Sequence, residues 1–280
     1  MRRAILTISL HLVVVCSFAF TDTLYLIRDS IEIEQLMVSQ TTFCQENEFD
    51  LQNVVLRVGV NENVELLIAN TDLIDHTFTI DGVVNQILPT SLTSIVNFQI
   101  TEPGTYRYYS SIDQGRLIGA SGIIQVGYEN ETSFFWNLND INSSLSHELS
   151  DGSQNVIPSE YDPDIFTING FAFPSTVDDT TGYVVGSVGE EIIISILNSG
   201  NMEHVLHFHG YHVEILDAQI YTKQVGWLKD TFPLKKGDGL TVKLIPHQPG
   251  VFPVHDHNLI AVTNAGFYPG GMITQLNISP

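Results

Sequence analysis

Cysteine is nearly absent from this chain: its 280 residues hold two, Cys16 and Cys44. Cys16 falls in an N-terminal apolar run, so Cys44 stands alone in the rest and no internal disulfide can form there. With no histidine near it, Cys44 reads as a plain thiol. Basic side chains are scarce as well, 11 Lys and Arg against 32 Asp and Glu, for a net charge of −21. That balance repels nucleic acid and anionic lipid; it reads first as a solubility-driven acidic surface and also suits metal cations, cationic partners or a saline habitat. After the N-terminus no stretch approaches the roughly 18 apolar residues of a membrane span. No sustained 3.6-residue hydrophobic period appears either, which removes helical bundles from consideration.

The N-terminus itself is patterned. Met1-Arg2-Arg3 precedes an apolar run from Ala4 to Phe20, with small residues at Ser17 and Ala19. A basic start, a short apolar core and small residues at its end describe a secretory leader over residues 1–21, and hence a secreted or periplasmic protein. An uncleaved anchor is the lesser alternative.

Beyond the leader the chain reads as short strands. Val54 to Val60, Asn63 to Ile68, His76 to Ile80, Ser94 to Ile100 and Ile123 to Gly127 are separated by Gly, Pro, Asn and Asp. Gly182 to Val188, Glu191 to Leu197, His204 to Leu216, Leu240 to Ile245 and Met272 to Ile278 continue the pattern. Strands at this spacing predict an all-β protein of antiparallel sandwiches. The halves share a plan: a histidine-bearing strand, a Pro-Gly turn (Pro103-Gly104, Pro249-Gly250) into another strand, and a Gly-rich approach to a last one. A repeat of that length means duplicated domains. Residues 22–128 and 164–280 are the expected domains. The polar stretch 129–163 is the expected linker, with Phe134-Phe135-Trp136 docking on a domain face.

Histidine carries the chemistry. Of ten in the chain, seven (His204, His207, His209, His212, His247, His255 and His257) lie between residues 204 and 257. His207-Phe208-His209 and His255-Asp256-His257 each have the spacing His-x-His. On a strand, alternate side chains share a face, so each pair presents two imidazoles together. Two such strands side by side are expected to converge four nitrogen ligands on one spot, a mono- or dinuclear site. Imidazole suits copper or zinc. Asp256 and His204 fall on the opposite face, behind that site, either as a pair in which the carboxylate orients the imidazole or as a separate hard-ligand site. His212 and His247 have no assigned role beyond a strand end and a surface turn.

Phe166-Thr167-Ile168-Asn169-Gly170, His204-Val205-Leu206-His207-Phe208-His209-Gly210, Asp230-Thr231, and Pro249-Gly250 leading to His255-Asp256-His257 and Gly270-Gly271-Met272 together resemble the multicopper oxidase family. The resemblance implies two tandem cupredoxin-like (plastocyanin-like) Greek-key β-sandwich domains. It implies a trinuclear copper cluster with His207 as a type 2 ligand and His209, His255 and His257 as type 3 ligands, and His204 as first ligand of a blue copper site. In two-domain members the cluster forms between subunits of a homotrimer.

The pattern then breaks. A blue site needs a cysteine thiolate, and Asp256 stands in its place. The second blue-site histidine falls at Ala261 or is lost in the loop from Asn258 to Pro269, and Met272 reads as core. In the first half, His76 resembles a first ligand, but Ser110 occupies the cysteine position and Gly115 and Ala120 the rest. The first half also has no His-x-His pair, which removes half the ligands of a trinuclear cluster. The expected metal ligands are therefore His207, His209, His255 and His257, with copper favoured and zinc as the alternative ion. The function expected is that of an exported copper-binding protein, possible as an oxidoreductase fed by a small-molecule reductant or a partner protein. Non-catalytic copper storage, and a structural or interaction module that has lost its metal, are the alternatives.

Overall fold

The computed structural model describes residues 19–33, 35–112, 118–150 and 161–280. Two β-sandwiches follow one another along the chain. The first holds β1 (Ala19–Ile33), β2 (Leu36–Cys44), β3 (Leu56–Val58), β4 (Asn63–Asn70), β5 (His76–Ile80), β6 (Val84–Leu88), β7 (Thr93–Phe98), β8 (Gly104–Tyr109) and β9 (Ser121–Val126). Its sheets run β2-β1-β4-β7 and β3-β9-β8-β5-β6. β4 shows why they stack: Val64, Leu66, Ile68 and Asn70 are buried and the residues between them are not, the period-2 pattern of a strand with one wet face. Between the sheets, Phe43, Phe78, Phe98 and Tyr108 pack as edge and stacked pairs.

The second sandwich holds β10 (Ser133–Ile141), β11 (Ile165–Ile168), β12 (Val184–Ser187), β13 (Ile192–Asn198), β14 (His204–Phe208), β15 (Val213–Ala218), β16 (Leu228–Lys229), β17 (Thr231–Leu234), β18 (Gly239–Leu244), β19 (Gly250–Asp256) and β20 (Ile273–Ser279), with a helix α1 (Ser143–Ser150) after β10. Its sheets run β11-β10-β13-β18-β15-β16 and β12-β20-β19-β14-β17. Trp136, Phe208, Phe232, Leu206, Ile194 and Val242 meet in one core. The expected single run from His204 to Leu216 is two strands in different sheets. The chain turns between them at Gly210, whose φ is +78° and where a Cβ would lie 2.5 Å from the Phe252 ring.

Two expected boundaries are corrected. Residues 133–141, placed in the linker, are β10, a sheet strand parallel to β13. Phe134, Trp136 and Leu138 alternate into the core, and the Trp136 indole donates to the Gly182 carbonyl at 2.7 Å. Burial of that face outweighs the polar composition around it, so the second domain begins at Ser133 and not at residue 164. At the other end, residues 1–18 of the expected leader lie outside the described residues. Its last three, Ala19 to Thr21, pair with Asn63 to Glu65 of β4, so the first sheet begins before residue 22. Among the described residues, no helix is long and apolar enough to cross a membrane.

The sandwiches meet through Ile123, Phe135 and Leu197 and through buried polar pairs. Gln125 donates to Ser195 at 3.0 Å, Thr105 and Thr241 hydroxyls are 2.8 Å apart, and Ser199 donates to Ser121 at 2.8 Å.

Candidate metal centre

β14 lies antiparallel between β17 and β19, with His207 directly opposite His255 and Leu206 opposite Asp256. Leu206 and Phe208 point into the core, so His207 and His209 project from the outer face of the sheet. Along β19, Val254 and Asp256 are buried and His255 lies between them on that same outer face. The alternation read from the two His-x-His pairs therefore brings the four imidazoles to one surface. Ring centroids lie 4.6 Å apart for His207 and His209, 5.7 Å for His207 and His255, 5.8 Å for His207 and His257, and 5.2 Å for His209 and His255.

The four do not converge on a single point, and the expectation that they would is corrected. Antiparallel register sends β14 and β19 in opposite directions from the His207–His255 pair, so His209 and His257 stand at opposite ends. Among the described residues, no three His, Cys, Asp or Glu side chains are arranged to hold an ion as they stand. What is preassembled is a pair: the Nε2 atoms of His209 and His255 are 3.1 Å apart. Two nitrogens bound to one ion at about 2.0–2.1 Å each stand a little over 3 Å apart. His207 is the third ring beside this pair, and His257 lies beyond it, its ring parallel to that of His255 with centroids 6.3 Å apart.

The surroundings fit the donor set to a metal. His255 Nδ1 lies 2.8 Å from the Asp256 carbonyl. A carbonyl only accepts, so Nδ1 carries the proton and Nε2 of the neutral ring is bare. His207 Nδ1 is 2.7 Å from the Thr231 hydroxyl, which orients that ring while leaving either tautomer open, since a hydroxyl both donates and accepts. Burial, together with the charges of His207 and His255, holds the His209 pKa below its ordinary value. That direction favours the neutral, ligating form of the ring.

Behind the sheet, the pairing of Asp256 with His204 is present, with a partner the sequence did not offer. His204 is fully buried and bonded at both nitrogens: Nδ1 to Asp256 Oδ2 at 2.5 Å and Nε2 to Asp140 Oδ1 at 3.2 Å. Burial opposes charge on this ring, but the hydrogen bonds and negative charges of Asp140 and Asp256 outweigh it and push the pKa up to about 9. Asp140 is desolvated too, yet His204 holds its carboxyl below the usual range. Asp256 also accepts from the backbone N–H of Val205 at 3.2 Å and of Asn258 at 2.7 Å. The carboxylate thus pins the ends of β14 and β19 from below. Nothing in the sequence around Asp140 marked it, since it sat in the expected linker.

The first sandwich repeats this arrangement. His76 is fully buried, with Nδ1 3.0 Å from the Ser110 hydroxyl and Nε2 2.8 Å from Asp72, which also receives Arg28 at 2.8 Å. Desolvation raises the Asp72 pKa, but His76 and Arg28 bring it below its ordinary value. Ala261 and Met272 are buried in the apolar core of the second sandwich. Gly115 lies outside the described residues. Cys44 is buried in the first sandwich, its thiol pushed up by desolvation.

The fold and the histidine surface define a class. The multicopper oxidase family model matches residues 152–273, most of the second sandwich. The whole chain superimposes on the blue copper oxidase from Nitrosomonas europaea with a TM-score of 0.78 at 19% identity, covering 93% of this chain and 86% of that one. It superimposes on the copper nitrite reductase from Nitrosomonas europaea with a TM-score of 0.71 at 17% identity, covering 94% of each. The laccase from Botrytis aclada gives a TM-score of 0.70 at 13% identity, covering 92% of this chain and 52% of that one. No curated protein matches the sequence. The chain thus has the cupredoxin-like two-domain fold of these multicopper oxidases and copper nitrite reductases, and its second sandwich resembles the multicopper oxidase family. The names of these solved structures are those of copper proteins.

Proposed function

We propose that the protein is an exported copper-binding member of this family that works at a histidine-only site, without blue copper. The observation that carries the reading is the 3.1 Å approach of His209 Nε2 to His255 Nε2, beside His207, on an exposed sheet face. In the free protein the bare Nε2 of His255 accepts the proton that His209 Nε2 carries. A shift of His209 to the tautomer protonated on Nδ1, its Nε2 proton going to solvent and Nδ1 taking one up, gives two facing lone pairs and a ready seat for one ion. Small rotations of His207 or His257 complete its ligand set, and the two overlapping trios leave room for a second ion.

Copper held there supplies one-electron exchange with small molecules. The rest belongs to the chain. The Asp256 carbonyl holds the proton on Nδ1 of His255, and the Thr231 hydroxyl orients the His207 ring. His204 has exchanged the ligand role that the resemblance implies for bonds to Asp140 and Asp256, and His76 for bonds to Asp72 and Ser110. Among the described residues no thiolate stands beside those rings, so a small reductant or a partner protein would have to supply electrons at the exposed histidine face. Self-association belongs to the same proposal, the histidine-bearing face being the one a neighbouring subunit would cover.

Storage without turnover is the competing reading, favoured by the exposure of His209 and His257. Oxygen consumption with ascorbate, after copper loading and elemental analysis, separates the two. Turnover that disappears in His257→Ala supports the oxidoreductase. Stoichiometric copper with no turnover leaves a carrier, and absence of copper removes both.

A further inference from the structure

The groove that opens beside the histidine face continues past it. Its lining includes His207, His209, His212, Asp230 and His247. The adjoining depression is lined by Glu214 and Lys243 and again by His212 and His247. Two histidines without any assigned role, His212 and His247, therefore line both hollows, one of which also holds His207 and His209.

Their placement follows from the local fold. The Gly210 turn carries the chain from β14 to β15 in four residues, so His209 ends the inner set and His212 begins the outer one. Tyr211 between them is buried, its hydroxyl donating to the Gln248 carbonyl. The Tyr211 ring stands edge-on to His247 with centroids 5.3 Å apart. Buried Tyr211 thereby ties the two outer histidines to one anchor. Asp230 approaches from the third side: its carboxylate is 3.9 Å from His212 Nε2, and its carbonyl accepts the Phe208 N–H at 2.7 Å. The next residue, Thr231, is the hydroxyl that orients His207.

We propose that His212, His247 and Asp230 form an outer docking site for a transition-metal ion, from which it passes along the groove to His207, His209 and His255. The inference rests on the copper reading of the inner histidines. Two imidazoles and a carboxylate are an acceptable donor set for a divalent copper ion. As the side chains are exposed and not prearranged, they bind it weakly, and weak binding suits transfer and not storage. A chain of net charge −21 raises the local cation concentration, and a groove that collects ions beside the final ligands raises the on-rate further.

Stopped-flow uptake of Cu²⁺ alone is the test, comparing the wild type with the double variant His212→Ala/His247→Ala. Both side chains are exposed, so the sandwich keeps its core. The variant is expected to load the inner histidines on the order of tenfold more slowly, the low end of such on-rate gains, and to reach the same final stoichiometry. A second experiment removes the inner site with His207→Ala/His209→Ala/His255→Ala. Substoichiometric Cu²⁺ should still broaden the NMR signals of His212 and His247. Equal uptake rates, or outer signals that stay sharp, overturn the docking site while the inner site stands. A wild type that takes up no copper overturns both.

Discussion

Replacing Asp256 by Asn removes the charge beside His204 and turns the oxygen that faces its Nδ1 into an N–H donor, which a protonated ring cannot bond. The amide keeps the size of the carboxylate, and its oxygen still accepts the N–H groups of Val205 and Asn258 that Asp256 holds. What disappears is one of the two anions that raise the His204 pKa from 6.5 to about 9. At roughly 1.4 kcal/mol per pKa unit, that shift is about 3 kcal/mol of stability. The sign follows from the direction. A ring whose folded pKa lies above its unfolded one stabilises fully below pH 6.5, and the contribution drains away as pH rises through about 9. Asp256→Asn is therefore expected to cost about 2–3 kcal/mol near pH 6, the worth of a buried charge-assisted bond. The gap should close to about 1 kcal/mol or less at alkaline pH, where His204 is neutral in both proteins. Urea denaturation of the metal-free proteins across this range measures the gap, and ¹⁵N NMR of His204 reports its protonation directly. A gap that does not change with pH, or a His204 ring already neutral at pH 7, would refute the reasoning.

Other outcomes follow from single contacts. Thr231→Val removes the partner of His207 Nδ1 and should weaken copper binding by roughly 10–100-fold in a calorimetric titration; an unchanged affinity would mean that Thr231 does not orient the ring. Trp136→Ala should cost about 3–5 kcal/mol of unfolding free energy, as for any large core aromatic, whereas a linker residue would cost almost nothing. The copper-loaded protein should show no intense thiolate-to-copper band in the visible, because Asp256 and Ser110 stand where such a thiolate is needed; a strong blue colour would contradict that assignment.

Much of the metal face was legible because His-x-His on a strand has one meaning for side-chain direction, and the Pro-Gly turn before β19 marked where the second pair begins. Direction is not register. The spacing told that His207 and His209 share a face, and it could not tell that antiparallel pairing would seat His255 opposite His207 and part His209 from His257. β10 was missed for a different reason. Phe134, Trp136 and Leu138 alternate as a strand should, but polar residues on both sides concealed nine residues of sheet. Asp140 went with it, since a lone carboxylate gains its meaning only from the buried histidine it meets. β1 begins inside the apolar N-terminal run, where a leader and a core strand share the same composition.

The central claim is that His209 and His255 seat an ion between their facing nitrogens. Crystals of the copper-loaded protein, measured with anomalous scattering at the copper edge, address it directly. A peak is expected about 2 Å from both Nε2 atoms, with the His207 ring turned toward it. A peak elsewhere on the molecule, or none at full copper saturation, would contradict it.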